Sequence, residues 1–229
     1  DLMYSLIHQQ VDAIVLVPID SKALVQPAVE AVRKGIPVIN IDIQLDAQLL
    51  EQAGVEVAFV GPDNFAAAYE VGKLLGKKLR NEDKVAIIEG LAAADNARQR
   101  KRGFIKAIEE KGLRLVASEP ADWETEKAAE VFQAMWMRYP DLKAVYCSND
   151  AMALGVLQQM QEKNCYLPVV GFDNDAVMKE FLSTGKLVAT ADIFSSQMAV
   201  RGIEFALDVL EGKIENRGVH STAYEIIKQ

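Results

Sequence analysis

Polar side chains at the ends of short apolar runs are the residues of this sequence best suited to chemistry. Asp42, Asn149 and Asp173 each follow a β-branched run, and Asn96 and Arg100 open a helical pattern after another. A single Asn or Asp at such a place fits a helix N-cap equally well. Several together with an arginine favour a ligand rich in hydroxyl groups, because carboxylates, amides and a guanidinium exchange directed hydrogen bonds with hydroxyls.

Signatures of enzyme chemistry are missing from the sequence. The segment Gly72–Lys78 superficially suggests a phosphate loop, but its spacing is too short, no Ser or Thr follows the lysine, and the pattern around it is helical. No Gly-x-Gly-x-x-Gly, Gly-x-Ser-x-Gly or His/Cys metal spacing occurs, and His8 and His220 occupy predicted surface positions. We therefore expect no enzyme activity, no cofactor and no metal.

The composition narrows the classes of partner. Lys and Arg total 25 against 33 Asp and Glu, and this net charge of -8 argues against nucleic acid and anionic membranes. The longest apolar run, Ala13–Pro18, is far shorter than the roughly 20 residues that span a bilayer. Cys147 and Cys165 lie in or beside apolar runs, which favours two buried free thiols, although their spacing leaves a disulfide open.

Short β-branched runs alternate with segments of helical periodicity along the whole chain, which predicts parallel sheets covered on both faces. The predicted strands are 13–17, 37–41, 57–60, 84–89, 113–118, 144–148, 169–172 and 187–191. The predicted helices follow Asp20-Ser21 and Asp63-Asn64 and then lie near 96–111, 126–138, 150–163, 174–184 and 195–211. Ligands of such sheets bind at the carboxyl ends of the strands, where the polar residues above are expected to meet.

Four segments, in this order and spacing, resemble the motif set of periplasmic ribose-type binding proteins. They are Ala97–Phe104, Pro120–Trp123, Ser148–Gly155 and Val169–Asp173, and the likeness extends over about residues 1–229. It implies the α/β fold of type I periplasmic binding proteins, in which two similar doubly wound parallel-sheet lobes are joined by a three-crossover hinge. The N-terminal lobe would comprise 1–62 plus 194–222, and the C-terminal lobe 63–193 plus 223–229.

The first ten residues have the amphipathic pattern of the end of a helix, with Leu2, Met3, Leu6 and Ile7 on one side. A doubly wound lobe that begins here would lack its first strand and most of its first helix. We therefore expect the intact protein to carry that segment ahead of Asp1.

The resemblance implies a binding function without chemistry. The protein would capture a sugar or sugar-like polyol between its lobes, close about the hinge, and deliver the ligand to the membrane permease of an ABC transporter. It would be exported on a signal peptide and act as a periplasmic monomer, or as an extracytoplasmic lipoprotein in a single-membrane bacterium. The alternative left open is the effector-binding core of a LacI-type transcription regulator, which would carry a helix-turn-helix ahead of this region.

Site residues follow from the same resemblance. Positions that contact the ligand in this family are matched by Asp42, Arg100, Trp123, Asn149 and Asp173, and a position used in the related hexose binders is matched by Asn96. The indole of Trp123 would cover the apolar face of a sugar ring, or would be partly buried core beside a helix start. Trp136, among Met135 and Met137, is predicted to be packing.

Two positions depart from the ribose-binding pattern. Ile43 and Ile193 stand where the ribose binder has arginine and glutamine, and neither side chain can hydrogen-bond a hydroxyl group. One interpretation is a ligand that is less polar on this side: a deoxy sugar, a different ring form, or a larger polyol-like molecule. The other is that both isoleucines pack into the lobes while Asp46 or Asp192 replaces the lost polar groups.

Overall fold

A computed structural model describes residues 2–229 of the chain, and these residues form two compact units. Unit 1 contains the described residues up to Pro62, with Ala93–Asn96 and Phe194–Ala223. Unit 2 contains Asp63–Ala92, Ala97–Ile193 and Tyr224–Gln229. The short segment Ala93–Asn96 thus belongs to unit 1, whereas the division drawn from the sequence leaves it in the C-terminal lobe.

Unit 1 is built on a four-stranded parallel sheet of order β1-β2-β3-β9. Its strands are β1 (Ile14–Leu16), β2 (Val38–Ile41), β3 (Ala58–Pro62) and β9 (Val219–Thr222), and its helices are α1 (Leu2–His8), α2 (Val25–Arg33), α3 (Ala47–Gln52) and α9 (Ser195–Leu210). All four residues of β2 are buried, as expected for a parallel strand with helices on both faces. Asp1 of the predicted N-terminal helix lies outside the described residues.

Unit 2 is built on a six-stranded sheet of order β10-β8-β7-β6-β4-β5, in which only β10 runs antiparallel to its neighbour. Its strands are β4 (Lys84–Glu89), β5 (Arg114–Pro120), β6 (Ala144–Cys147), β7 (Val169–Val170), β8 (Leu187–Asp192) and β10 (Glu225–Lys228). Its helices are α4 (Asn64–Gly76), α6 (Thr125–Arg138), α7 (Asp150–Glu162), α8 (Met178–Ser183) and α5 (Asp95–Lys111), of which the first two residues belong to unit 1. The predicted α/β class with parallel sheets is confirmed.

Differences from the predicted elements have local causes. The helix expected from 174 begins only at Met178, because Asp173 and Asn174 have left-handed φ angles of 109° and 60° that a helix does not allow. The loop predicted after Asp42 contains α3, which Asp46 caps by accepting a hydrogen bond from the backbone N–H of Leu49. Strands β9 and β10 were not predicted, since each has only four residues and is largely exposed.

Asp20 and Ser21 do not cap α2 directly. The side chain of Asp20 accepts hydrogen bonds from the backbone N–H groups of Lys22 and Ala23, at 2.7 and 3.1 Å, and so closes a turn ahead of the helix. The helix itself begins at Val25. The predicted cap at Asp20-Ser21 therefore lies ahead of the observed N-cap, Leu24.

Candidate functional site

Arg100 is the centre of the polar cluster at the carboxyl edge of the unit 2 sheet. Only 3% of its surface is exposed. Its Nε donates to Oδ1 of Asn64 at 2.9 Å, and its Nη1 donates to the carbonyl oxygen of Ser148 at 2.9 Å and to Oδ1 of Asp173 at 3.3 Å. The guanidinium plane is thus fixed by three elements, α4, the end of β6 and the loop after β7. The predicted convergence of Arg100 and Asp173 is present in the structure.

Two aromatic rings complete the surroundings of this arginine. The Cζ atom of Arg100 lies 3.7 Å from the centroid of Phe172 and 5.5 Å from that of Trp123. Both distances are within the range in which a cation is attracted to a ring face. A half-buried indole beside a buried guanidinium is a surface that can cover an apolar face while polar groups are held nearby.

Trp123 is held in place by its backbone and by a glycine. Asp122 and Trp123 both have left-handed φ angles, 52° and 72°, and the carboxylate of Asp122 forms an ion pair with Lys127 on α6. A Cβ atom on Gly90 would lie 2.1 to 2.3 Å from three carbons of the indole ring. The ring therefore packs directly on the backbone after β4, which only glycine permits. Trp136 packs edge-on against Phe132, in the predicted structural role.

Asn149 serves as the N-cap of α7. Its Oδ1 accepts a hydrogen bond from the backbone N–H of Met152 at 2.9 Å. The oxygen of this amide is thereby committed to the helix, and the NH2 group of the same side chain is the part suited to donate to a ligand. The helix N-cap expected as one reading of an Asn at a strand end is therefore present, and it uses the oxygen of this side chain.

Asn96 and Asn64 are buried amides near the start of their helices. Asn96 is 5% exposed and lies four residues before Arg100 on α5, and within residues 2–229 its Oδ1 has no hydrogen-bond partner. Asn64, at the first position of α4, was not predicted as a site residue. Its sequence signal is indistinguishable from that of a helix start, because Asp63 beside it is the N-cap.

The site residues predicted in unit 1 lie in the turn after β2. Asp42 is half-buried with a left-handed φ of 65°, and its backbone N–H donates to the carbonyl oxygen of Val60 at 3.3 Å. Asn40, 1% exposed, fixes this turn by donating to the carbonyl oxygen of Ile43 at 2.8 Å and accepting from the N–H of Leu45 at 2.7 Å. Sequence reasoning missed Asn40 because it lies within a buried strand.

The structure shows the surroundings of the two departing isoleucines and of the two aspartates suggested to replace their lost polar groups. Ile43 is 9% exposed and Ile193 is 3% exposed, so both side chains are buried. The carboxylate of Asp46 caps α3 and lies 3.9 Å from Nζ of Lys22. Asp192 accepts a hydrogen bond at 2.9 Å from the side-chain amide of Asn174. Burial of both isoleucines is one part of the second interpretation, whereas Asp46 and Asp192, its suggested replacements, have partners within the protein; both interpretations stay predictions.

A buried carboxyl group, Asp150, stands behind the loop that carries Asp173. It is fully buried, and burial raises its pKa to about 7. The value of about 7 already includes the carboxylates of Asp173 and Asp175, which raise the pKa, and the hydrogen bonds from the N–H of Asp175 and from Thr190, which lower it. Burial also raises the pKa of the adjacent Cys147 thiol well above its usual range. Cys147 and Cys165 are both free thiols.

Among residues 2–229 no group of three or more His, Cys, Asp or Glu side chains is placed to hold a metal ion. Over the same range no helix has both the length and the apolar character needed to cross a membrane. What the cluster offers is a fixed cation, a carboxylate, amides and two aromatic rings. Such a set can bind a neutral polyhydroxylated molecule through directed hydrogen bonds on its edge and ring contacts on its face.

Comparison with known proteins agrees with this chemistry. The sequence matches the periplasmic binding protein domain family over residues 1–214. It is 41% identical over 99% of the chain to a D-ribose/D-allose-binding protein of Pseudomonas aeruginosa, of which it covers 72%. It is 33% identical over 86% of the chain to the ribose import binding protein RbsB of Escherichia coli, of which it covers 64%.

Solved structures are similar over nearly the whole chain. A solute-binding protein of an ABC transporter from Actinobacillus succinogenes, with bound D-allose, gives a TM-score of 0.92 at 32% identity, covering 99% of this chain and 82% of that one. A solute-binding protein of an ABC transporter from Burkholderia multivorans gives a TM-score of 0.94 at 40% identity, covering 99% and 81%. The ligand in that structure is unknown and was represented as α-D-erythrofuranose.

Proposed function

The chain belongs to the periplasmic binding protein domain family, and on this premise we propose that it is a sugar-binding receptor of an ABC transport system whose ligand is an aldose of the D-ribose or D-allose type. The single observation that carries the proposal is the position of Arg100, which is held by Asn64, Ser148 and Asp173 beside the ring of Trp123. A buried, fully oriented guanidinium next to an aromatic face can hydrogen-bond the hydroxyl groups of a sugar ring while the aromatic side chain covers the ring's apolar face.

The type of sugar is supported by the packing of the two isoleucines. Ile43 and Ile193 are 9% and 3% exposed, so neither presents a broad apolar surface that would favour a deoxy position in the ligand. A fully hydroxylated aldose is then the better match, and the names of the most similar relatives point the same way.

The surroundings of the protein follow from its family, whose members act outside the cytoplasm. We propose that this chain works in the periplasm, or on the outer face of a single membrane, as a monomer that delivers its sugar to a membrane permease. The relatives are sugar-binding proteins of import systems, which favours this function over the effector-binding core of a transcription regulator. The protein would bind its ligand without converting it.

Isothermal titration calorimetry tests the proposal with D-ribose, D-allose, 2-deoxy-D-ribose and 6-deoxy-D-allose. We expect D-ribose or D-allose to bind most tightly, and each deoxy sugar to bind on the order of tenfold more weakly than its parent, because a buried polar group loses its partner. A deoxy sugar that binds more tightly than both D-ribose and D-allose would show instead that Ile43 and Ile193 select a less polar ligand. Failure of all four sugars to bind would remove the proposed function.

A further inference from the structure

Asp150 occupies a position that ligand contact does not explain. Its carboxyl group is fully buried at the first residue of α7, beneath the loop of residues 172–175. A Cβ atom on Gly171 would lie 1.9 Å from Oδ1 of Asp150, so the carboxyl group rests directly on the backbone at the end of β7. Because Gly171 has no side chain, there is room at this point for the buried acid.

The loop above Asp150 has a conformation that needs support. Asp173 and Asn174 have consecutive left-handed φ angles, 109° and 60°. Residues other than glycine adopt such angles only at an energetic cost, and keep them where the surrounding contacts fix them. Asp173 is the residue whose carboxylate meets Arg100. The position of the Asp173 carboxylate relative to Arg100 therefore depends on the contacts that hold this loop.

The contacts that hold the loop lead to Asp150 and Thr190. The N–H of Asn174 donates to Oγ1 of Thr190 at 3.2 Å, and the N–H of Asp175 donates to Oδ2 of Asp150 at 2.9 Å. The hydroxyl of Thr190 in turn donates to the carboxyl oxygens of Asp150, at 2.9 and 3.1 Å. Thr190 is fully buried on β8, so β8, α7 and the loop are joined by one buried network.

Asp150 also binds the loop through its own backbone. Its N–H donates to the carbonyl oxygen of Phe172 at 2.7 Å, and the N–H of Asp173 donates to the carbonyl oxygen of Ala191 on β8 at 2.7 Å. Residues 172–175 are thus tied at every step, and two of these ties end on the Asp150 side chain or on its partner Thr190. Removal of the carboxyl group breaks the support at the C-terminal end of the loop.

We propose that Asp150 is a positioning residue of the sugar site: with Thr190 it fixes the loop of residues 172–175 so that the carboxylate of Asp173 lies against Arg100, although Asp150 itself does not touch the ligand. This inference rests on the proposed function, since it concerns affinity for a sugar. It assigns a role to a buried acid that the ligand-binding residues leave unexplained.

The test measures the affinity for D-ribose and D-allose and the hydrogen exchange of backbone amides in Asp150→Ala and Asp150→Asn. Asp150→Ala removes both acceptors and is expected to weaken binding at least about tenfold. Asp150→Asn restores an acceptor for Asp175 and a group that pairs with Thr190, so its affinity should lie within about threefold of the wild type. In Asp150→Ala the amide of Asp175 should exchange faster, since it has lost its buried acceptor. The amide of Asn174 should also exchange faster, because its acceptor, the Thr190 hydroxyl, has lost the carboxyl group that holds it.

Val156→Ala provides the matched control. Val156 is a fully buried core residue on the same helix α7, and its truncation costs stability without touching the network. Its affinity should stay within about twofold of the wild type. If Asp150→Ala is not folded, Thr190→Val and Thr190→Ser are measured in its place. Valine lacks the hydroxyl group and should lower the affinity, whereas serine keeps the hydroxyl group and should bind nearly as the wild type does.

The outcomes separate the two proposals. A folded Asp150→Ala protein with wild-type affinity and wild-type amide exchange would overturn the positioning role while leaving the receptor function in place. Equal losses in Asp150→Ala and Val156→Ala would overturn it as well, because general destabilisation would then account for the effect. A wild-type protein that binds neither sugar would overturn the receptor function and, with it, a role in positioning a sugar contact.

Discussion

Replacement of Arg100 by lysine removes the geometry of the site while it keeps the charge. A guanidinium presents its N–H groups in a rigid plane, and three of them here reach Asn64, Ser148 and Asp173. A lysine ammonium is a single point on a flexible stem and cannot reach all three acceptors. It also loses the stacked contact with Phe172, 3.7 Å from the guanidinium carbon.

The size of the effect follows from these contacts. Loss of an oriented, desolvated charge-assisted contact to a ligand costs about 2–5 kcal/mol, which corresponds to at least roughly 30-fold in affinity. Because Arg100 is only 3% exposed, the change also leaves the carbonyl oxygen of Ser148 without its donor. A buried acceptor left unpaired costs about 1–3 kcal/mol of stability, and the melting temperature should fall by roughly 2–10 °C. Arg100 is therefore expected to support the fold as well as the ligand contact.

Calorimetric titration with D-ribose and D-allose and thermal melts followed by circular dichroism measure the two effects. Arg102→Lys is the matched control, since Arg102 is an exposed residue of the same helix. It should bind and melt as the wild type does. An Arg100→Lys protein with affinity within threefold of the wild type, or a loss of the same size in Arg102→Lys, would refute the role given to the guanidinium plane.

Two further predictions concern neighbouring groups. Gly90→Ala should displace the Trp123 indole, because the new Cβ would lie 2.1 to 2.3 Å from its carbons. The measurement uses a Trp136→Phe background, in which Trp123 is the one remaining tryptophan of the sequence. An unchanged fluorescence maximum together with an unchanged sugar affinity would contradict the prediction. The pKa of Asp150 is raised to about 7 by folding, so its contribution to stability is present below the unfolded pKa near 3.8 and is lost as the pH rises through 7. Relative to Asp150→Asn, the wild-type free energy of unfolding should fall by about 2–3 kcal/mol between pH 5 and pH 8 in urea titrations, and parallel profiles would show that the buried carboxyl group does not titrate there.

Strand-terminal residues explain why much of this site could be predicted from the sequence. A buried parallel strand is a β-branched run, and a polar residue directly after it must lie at the carboxyl edge of the sheet. Asp173 follows β7 in this way, and Arg100 lies in the second turn of the helix after β4, so the two were expected to meet; their side chains lie 3.3 Å apart. That they contact a sugar, with Asn149, Trp123 and Asp42, stays a prediction.

Residues that act through buried hydrogen bonds could not be predicted in the same way. Asn64 has the sequence pattern of a helix start, Asn40 lies inside a strand, and Thr190 is one β-branched residue among others in β8. Their roles depend on which neighbour the fold brings to them, and neither periodicity nor spacing contains that information. The left-handed angles of Asp173 and Asn174 were missed for a related reason, because tertiary contacts impose them against local preference.

The arrangement of charge in unit 2 is suited to binding because the folded protein already buries Arg100 and orients its charged side chain before a ligand binds. Arg100 is 3% exposed, whereas the side chain of Asp173 is 28% exposed, so the inner member of the pair is fixed by the protein and the outer member remains accessible to a ligand. The partly exposed carboxylate is a strong acceptor for hydroxyl groups, and its loop is already tied by Thr190 and Asp150. Binding then orders few side chains, and the hydrogen bonds to the sugar contribute to affinity with little loss to conformational entropy. For this reason the residues behind the site should affect affinity nearly as strongly as those that face the sugar.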